Sequence, residues 1–473
     1  MTFPAAGIRS SVLLNARFLK IFSGIITLIF ILLWYNLDSE AEPWSIWPGK
    51  QESTRINTLR KIADATNKGY YFQYEPGVPM EHIWEDPGIG FLMVCMGILK
   101  RFLGLGPLDA LVDPYRAELL VIGLPLILIF FTRLFSLPRW YWLIPPLFFL
   151  WAIVPKYPLF EQNIGKLSGL LYLSVSTRWV RVPAAFWTFT ATLQFFGWWH
   201  EGKLFELNLK RIFRLLVIGF VMGIFWSIRK DVLVASGLAT TIFLFLLTFS
   251  NSSLNKIPNP LRVPRAKKIV PLLILLLILF AGCRSFRTLI EGAWWLRDRN
   301  YQMQNTSRIY GRPVWHSLCA GLGVVQNRYG INWGDEEVFR LIKRRPENKE
   351  VVYGTVEHER AARKLYFELL TKDPDLVFRN LRFKLKYVWL DHRNGIMRSL
   401  ALIMILFFLN AYARWIGVLL LCNMATAGLI LVIVNPWLQY GLDLITHYRL
   451  AQMIGFGVGG WRLGEILLPK IFK

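Results

Sequence analysis

The sequence predicts an all-α polytopic membrane protein with about 10–13 transmembrane helices. Three observations predict it. Charged residues make up 18% of the chain and hydrophobic ones 54%, whereas a soluble domain carries about 25% charged residues. The apolar residues gather in twelve candidate spans: 18–35, 89–105, 117–135, 139–155, 164–180, 183–199, 212–228, 231–249, 268–283, 398–413, 415–434 and 443–460. Finally, 20 Trp and 17 Tyr suit the aromatic belts that form where a ring sits at headgroup depth.

The first span follows Arg9, Arg17 and Lys20, and no small-residue cleavage pattern follows Tyr35. That pattern reads as a signal anchor with a cytoplasmic N-terminus. The next loop is acidic in a chain of net charge +24. Between Asn36 and Pro87 stand nine carboxylates, among them Asp38, Glu40, Glu85 and Asp86, against five bases. Positive charge is retained on the cytoplasmic side, so the loop 36–88 is expected outside. The segment 250–267, with Lys256, Arg262, Arg265 and Lys267, is expected inside.

The polar stretch from Arg284 to Gly395 then falls on the same face as the acidic loop. Within it, Val351–Asp375 reads as a helix with Leu365, Leu369 and Leu370 on its apolar side. Pro374 suits a first helical position, and the residues after it mix Phe378, Leu381, Phe383, Leu385 and Val388 with Arg379, Arg382, Lys384 and Lys386. This predicts a basic amphipathic helix lying on the membrane before the next span. The organisation expected is a membrane domain 1–283 holding the loop 36–88, an extracytoplasmic polar module 284–396, and C-terminal transmembrane helices 397–473.

The bases flank apolar runs and form no recognisable nucleic-acid motif, which excludes a nucleic-acid partner and points to membrane lipids. Cys95, Cys283, Cys319 and Cys422 stand singly, with no disulfide framework and no metal-type spacing. The six histidines are scattered in the same way.

After the first span come a presumed amphipathic helix, Ser53–Asn67, the aromatic run Tyr70-Tyr71-Phe72-Gln73-Tyr74, and Trp84-Glu85-Asp86-Pro87-Gly88 at the mouth of the second span. This order resembles the opening of the GT-C superfamily of membrane glycosyltransferases. Their first extracytoplasmic loop carries an acidic catalytic residue and amphipathic helices. Here the family's adjacent Asp-Glu pair is replaced by Asp38-Ser39-Glu40, and its proline turn by Asp86-Pro87-Gly88. The stretch Pro313–His316 through Gly321-Leu322-Gly323 and Trp333-Gly334-Asp335 resembles a module of bacterial membrane proteins of the same general plan.

The resemblance implies transfer of a sugar from a polyprenyl-phosphate donor to an extracytoplasmic acceptor, at the bacterial inner membrane. A carboxylate must take the acceptor's proton, and cations must neutralise the leaving phosphate. Asp38 and Glu40, just beyond the first span, and Glu85, at the second, are the candidate catalytic acids. Arg449 and His447 in the last span, Arg284 and Arg287 beyond the ninth, His316 and His82 are the candidate phosphate or sugar ligands, since arginine suits phosphate and a charge inside a span usually has a partner. No metal-ligating set is assigned, and a divalent cation is left open as a cofactor. The acceptor and any protein partner are unidentified. The competing readings are a non-catalytic scaffold or assembly subunit and, third, a transporter or flippase, whose usual inverted repeats the chain does not display.

Overall fold

The computed structural model describes residues 61–62, 64–79, 90–91, 94–95, 97–98, 101–102, 181–228, 230–249, 265–301, 314–332, 335–409, 411–433, 444, 447–448 and 450–461. These residues are mostly helical, with one small hairpin of β1 (Gln73–Glu75) and β2 (Val78–Pro79). The long helices are α1 (Arg181–His200), α2 (Leu209–Ile228), α3 (Lys230–Phe249), α4 (Arg265–Asn300), α8 (Pro374–Leu409) and α9 (Ala411–Ile433). Between α4 and α8 lie three shorter ones, α5 (Val314–Gly321), α6 (Asp335–Lys343) and α7 (Val356–Lys372).

Three of the described helices are long and apolar enough to cross a membrane: Ile269–Asn300 within α4, α8, and α9. The chain is therefore a helical membrane protein. α1 and α2 match the expected runs in position and carry polar residues along or at the start of the helix. Thr188, Thr190, Thr192 and Gln194 lie in α1, and Lys210, Arg211 and Arg214 open α2.

α1 is buried on every side, as a helix at the centre of a bundle must be. Trp187, Phe189, Phe195 and Phe196 fill its surroundings. Its buried hydroxyls are satisfied locally: Thr188, Thr190 and Thr192 each donate to the carbonyl four residues back, at 2.6–2.7 Å. Thr192 also meets Thr240 of α3 at 2.8 Å, a polar contact between two apolar helices.

α2 and α4 touch backbone to backbone. Gly219 and Gly223 stand four residues apart on α2, and a Cβ built at either would lie 2.2 Å from the Leu279 carbonyl oxygen or 2.4 Å from that of Cys283. Gly282 of α4 is equally close to Leu216. Small residues at four-residue spacing let helices approach in lipid, where dispersion rather than the hydrophobic effect holds them together.

α4 and α8 are each 36 residues long, about 54 Å at 1.5 Å per residue, against a hydrocarbon core of about 30 Å. Each continues through a boundary drawn from sequence, α4 past residue 283 and α8 past 396. The separate amphipathic helix expected before the tenth span does not exist as such. Residues 374–409 form one helix, because no glycine or proline follows Pro374 to break it before the apolar half except Gly395, which packs beneath the Tyr448 ring. The buried stripe of α8 runs Val377, Asn380, Lys384, Val388, His392, Ser399, Ile403 and Leu406, a helical spacing of three and four.

Candidate functional site

The polar loop that follows the first apolar run folds onto the part of α4 that extends beyond its apolar half. Residues 64–67 are helical, and Gly69, at φ +96°, turns the chain. The hairpin closes at Gly77, φ +80°, whose N–H donates to Gln73 Oε1 at 2.7 Å. The Gln73 amide in turn donates to the Tyr301 hydroxyl, which donates to the Tyr71 carbonyl at 2.9 Å. Phe72 takes a left-handed backbone (φ 56°), a strain of roughly 1–2 kcal/mol for a residue with a side chain. That conformation sets its ring 6.0 Å from Trp294. Ile62, Val94, Phe286, Ile290 and Trp294 form a small core under the loop. Tyr70 and Tyr71 remain exposed, so the aromatic run divides between packing and surface.

This end of α4 is rich in arginine. Glu291 accepts from Arg284 at 3.2 and 2.9 Å, one bond to each carboxylate oxygen, and from Arg287 at 2.8 Å. Both sequence-predicted arginines thus converge on one carboxylate and stay partly exposed. Further along, Arg297 is 1% exposed, pairs with Asp298 and stacks 4.5 Å over Trp294. Arg299 stacks over Trp295 at 5.5 Å. From residue 284 to 300 there are four arginines and two carboxylates, so the helix keeps positive charge beside the loop. Arg297 was not anticipated. Its signal is the Trp294-Trp295-Leu296-Arg297-Asp298-Arg299 run, in which each indole precedes the base that stacks on it.

His316 lies elsewhere, inside the module of α5 to α7, and is 1% exposed. Its Nδ1 meets His358 Nε2 at 3.1 Å. The Gly354 N–H, which can only donate, points at His358 Nδ1 from 3.1 Å. His358 therefore carries its proton on Nε2 and donates to His316, which fixes both tautomers. Phe339 and Tyr353 close over the pair with ring centroids 4.8–5.3 Å away. Glu359, the next residue, accepts from the first-turn N–H groups of Val314, Trp315 (3.0 Å) and His316 (3.3 Å), satisfying the orphan donors at the start of α5. Cys319 donates to the Ala362 carbonyl at 3.3 Å. Burial, reinforced by the Glu359 charge, pushes its thiol up to about 12. A closed interior of this kind holds helices together. Sequence singled out His316 but not its partner His358, which lies 42 residues away.

At the bundle end next to the module, Lys384 is 2% exposed and its Nζ donates to the Ile433 carbonyl at 3.2 Å, at the C-terminus of α9. Farther along α8, Ser399 bridges the Gly395 and Tyr448 carbonyls at 2.7 and 2.9 Å, and Gln452 donates to Ser399 at 3.2 Å. His447 is 3% exposed, and its Nδ1 has no hydrogen-bond partner among the described residues. Asp38, Glu40, His82, Glu85 and Arg449 lie outside the described residues. Among the described residues, no group of three His, Cys, Asp or Glu side chains is placed to hold a metal. Comparison of the chain with family models, curated proteins and solved structures finds no match.

Proposed function

We propose that the chain is a membrane glycosyltransferase of GT-C-like plan, moving a sugar from a lipid-phosphate donor to an acceptor on the side of the membrane that carries the module. The observation that supports it most is the seat of residues 64–79 on the arginine-rich end of α4. The described part of the loop in which the candidate acids are expected lies against a cationic helix end. In the displacement, the acceptor oxygen bonds to the sugar's anomeric carbon as the carbon–oxygen bond to phosphate breaks. The acceptor's proton passes to Asp38 or Glu40, and the electron pair leaves on the phosphate. Arg284 and Arg287 are suited to that phosphate, which would replace Glu291 as their anionic partner.

The experiment is release of polyprenyl phosphate from a polyprenyl-phosphate sugar in proteoliposomes. Asp38→Asn and Glu40→Gln test the base. A positioned general base supplies about 10²–10⁴-fold, so one of the two should lose kcat on that scale. Arg284→Gln with Arg287→Gln should instead raise KM for the donor. No turnover by wild-type protein across several polyprenyl-linked sugars, or full turnover by the Asp38→Asn, Glu40→Gln double variant, defeats the assignment. The closed His316–His358 core favours the second reading, a scaffold whose module is structural throughout, and loss of turnover in neither variant would support it.

A further inference from the structure

The first half of α8 presents a face that nothing in the described chain covers. Phe378, Arg382, Leu385, Lys386, Trp389 and Arg393 fall within an arc of about 100° at 3.6 residues per turn. All six are exposed, Phe378 at 69% and Trp389 at 50%. The arc lies opposite the buried stripe through Asn380, Lys384 and Val388. Apolar and basic side chains alternate along it. The nearby Asp375 is taken by Arg379 at 2.8 Å, and Asp391 lies toward the buried side beside His392. Asp375 falls in the same arc one turn earlier, so the face carries one carboxylate, paired with Arg379, at its start, and from Phe378 onward three bases and no carboxylate.

Two properties identify what covers it. Turned by several tens of degrees around the helix, the exposed face runs on into Met397, Met404 and Phe408, exposed side chains of the helix's apolar half, so its neighbour is continuous with lipid. At about 54 Å, α8 also exceeds the 40–45 Å of a whole bilayer with headgroups. Upright, it would leave Phe378 and Leu385 in water; tilted, it lays them in the interface. Bases with apolar neighbours at that depth insert their stems and keep their charges at the headgroups.

We infer that this face is a bilayer-docking surface selective for anionic phospholipid headgroups, with Arg382, Lys386 and Arg393 as its phosphate-binding residues. Phe378, Leu385 and Trp389 set the depth at which those bases meet the lipid. The assignment is independent of sugar transfer and holds equally for an enzyme or a scaffold.

The test is lipid binding by the full chain in nanodiscs of phosphatidylcholine, with or without phosphatidylglycerol as a minority component, read by native mass spectrometry of retained lipid. Wild-type protein should retain phosphatidylglycerol preferentially. A base near an anionic surface is worth roughly fivefold, so Arg382→Gln, Lys386→Gln, Arg393→Gln should cut that preference at least about tenfold. Arg382→Lys with Arg393→Lys keeps the charge and should keep the preference, which separates lipid binding from misfolding. An unchanged preference in the triple Gln variant overturns the inference. So does displacement of the lipid by inorganic phosphate, or a face that cross-links to a second copy of the chain in phosphatidylcholine alone.

Discussion

Gln73 and Tyr301 are joined by a hydrogen bond across 228 residues of sequence, and the bond pins the first polar loop to the end of α4. Gln73 is 9% exposed, so a lost partner is not readily replaced by water. Leaving such a donor unsatisfied costs about 1–3 kcal/mol. Tyr301→Phe should therefore speed amide exchange across residues 64–79 while leaving α2 and α4 protected. Uniform exchange changes in all three would mean that the loop is not a separately held unit.

The contact between α2 and α4 has no room for a side chain. Gly223→Ala places a methyl against the Cys283 carbonyl, and Gly219→Ala places one against that of Leu279. Either helix must shift, at a cost of about 1–3 kcal/mol. Each variant should melt earlier in detergent. Gly237→Ala, where an added Cβ meets nothing within 4 Å, should not. Equal melting of all three would show that the close approach is not a stabilising contact.

His358→Leu removes both the acceptor of the Gly354 N–H and the donor to His316. Two buried groups each lose one hydrogen bond, at roughly 1–3 kcal/mol each. The module should become sensitive to limited proteolysis between residues 314 and 372 while the α1–α4 bundle stays resistant. His358→Leu protein as resistant as wild type would remove the pair from the module's stability.

The Glu368 carboxyl is held below the ordinary carboxylate range by its hydrogen bond from Arg345, with Lys372 adding a smaller contribution. A folded value below the unfolded one stabilises the module above the unfolded pKa of about 4.3, and the stabilisation is lost as pH falls through the folded value. Glu368 is one-third exposed, so solvent screening limits the effect to under about 1 kcal/mol. Glu368→Gln should lower the module's melting temperature slightly at pH 7 and converge with wild type in strong acid. A difference that persists or grows in acid would contradict the pairing.

Cys319 should be inert. With its thiol pushed up to about 12 and its side chain fully buried, almost no thiolate exists at pH 8, and the thiolate is the nucleophile. In a background carrying Cys319 as the one cysteine, iodoacetamide should label unfolded protein and spare folded protein. Rapid labelling of the folded form would show that the module opens.

The helical membrane class was legible because apolar runs persist longer than any soluble helix needs, and Pro374 was rightly expected to open a helix. The length of α4 and α8 was not legible. Hydropathy ends a span where charge begins, at Arg284 or before Arg398, but nothing there breaks the helix, so the backbone continues. Arg284 and Arg287 were identified by their depth relative to a span, a local property. Their convergence on Glu291 also follows helical spacing and was within reach. Arg297 was missed although its partners Trp294 and Asp298 are local; His358 and Lys384 were missed because their partners are distant in sequence. The partner of His358 is 42 residues away, and that of Lys384 is 49.

The contact between Lys384 and the Ile433 carbonyl bears on biogenesis. α9 begins at Ala411, two residues after α8 ends at Leu409, and Arg414 donates to the Phe407 carbonyl at 2.8 Å across that corner. So short a connection obliges the two helices to enter the bilayer as a pair. The ammonium can reach the carbonyl at the end of α9 only when the two helices are paired from that corner back to residue 384. A newly made chain whose helices have not closed along their length would lack this contact, so the contact marks a finished hairpin.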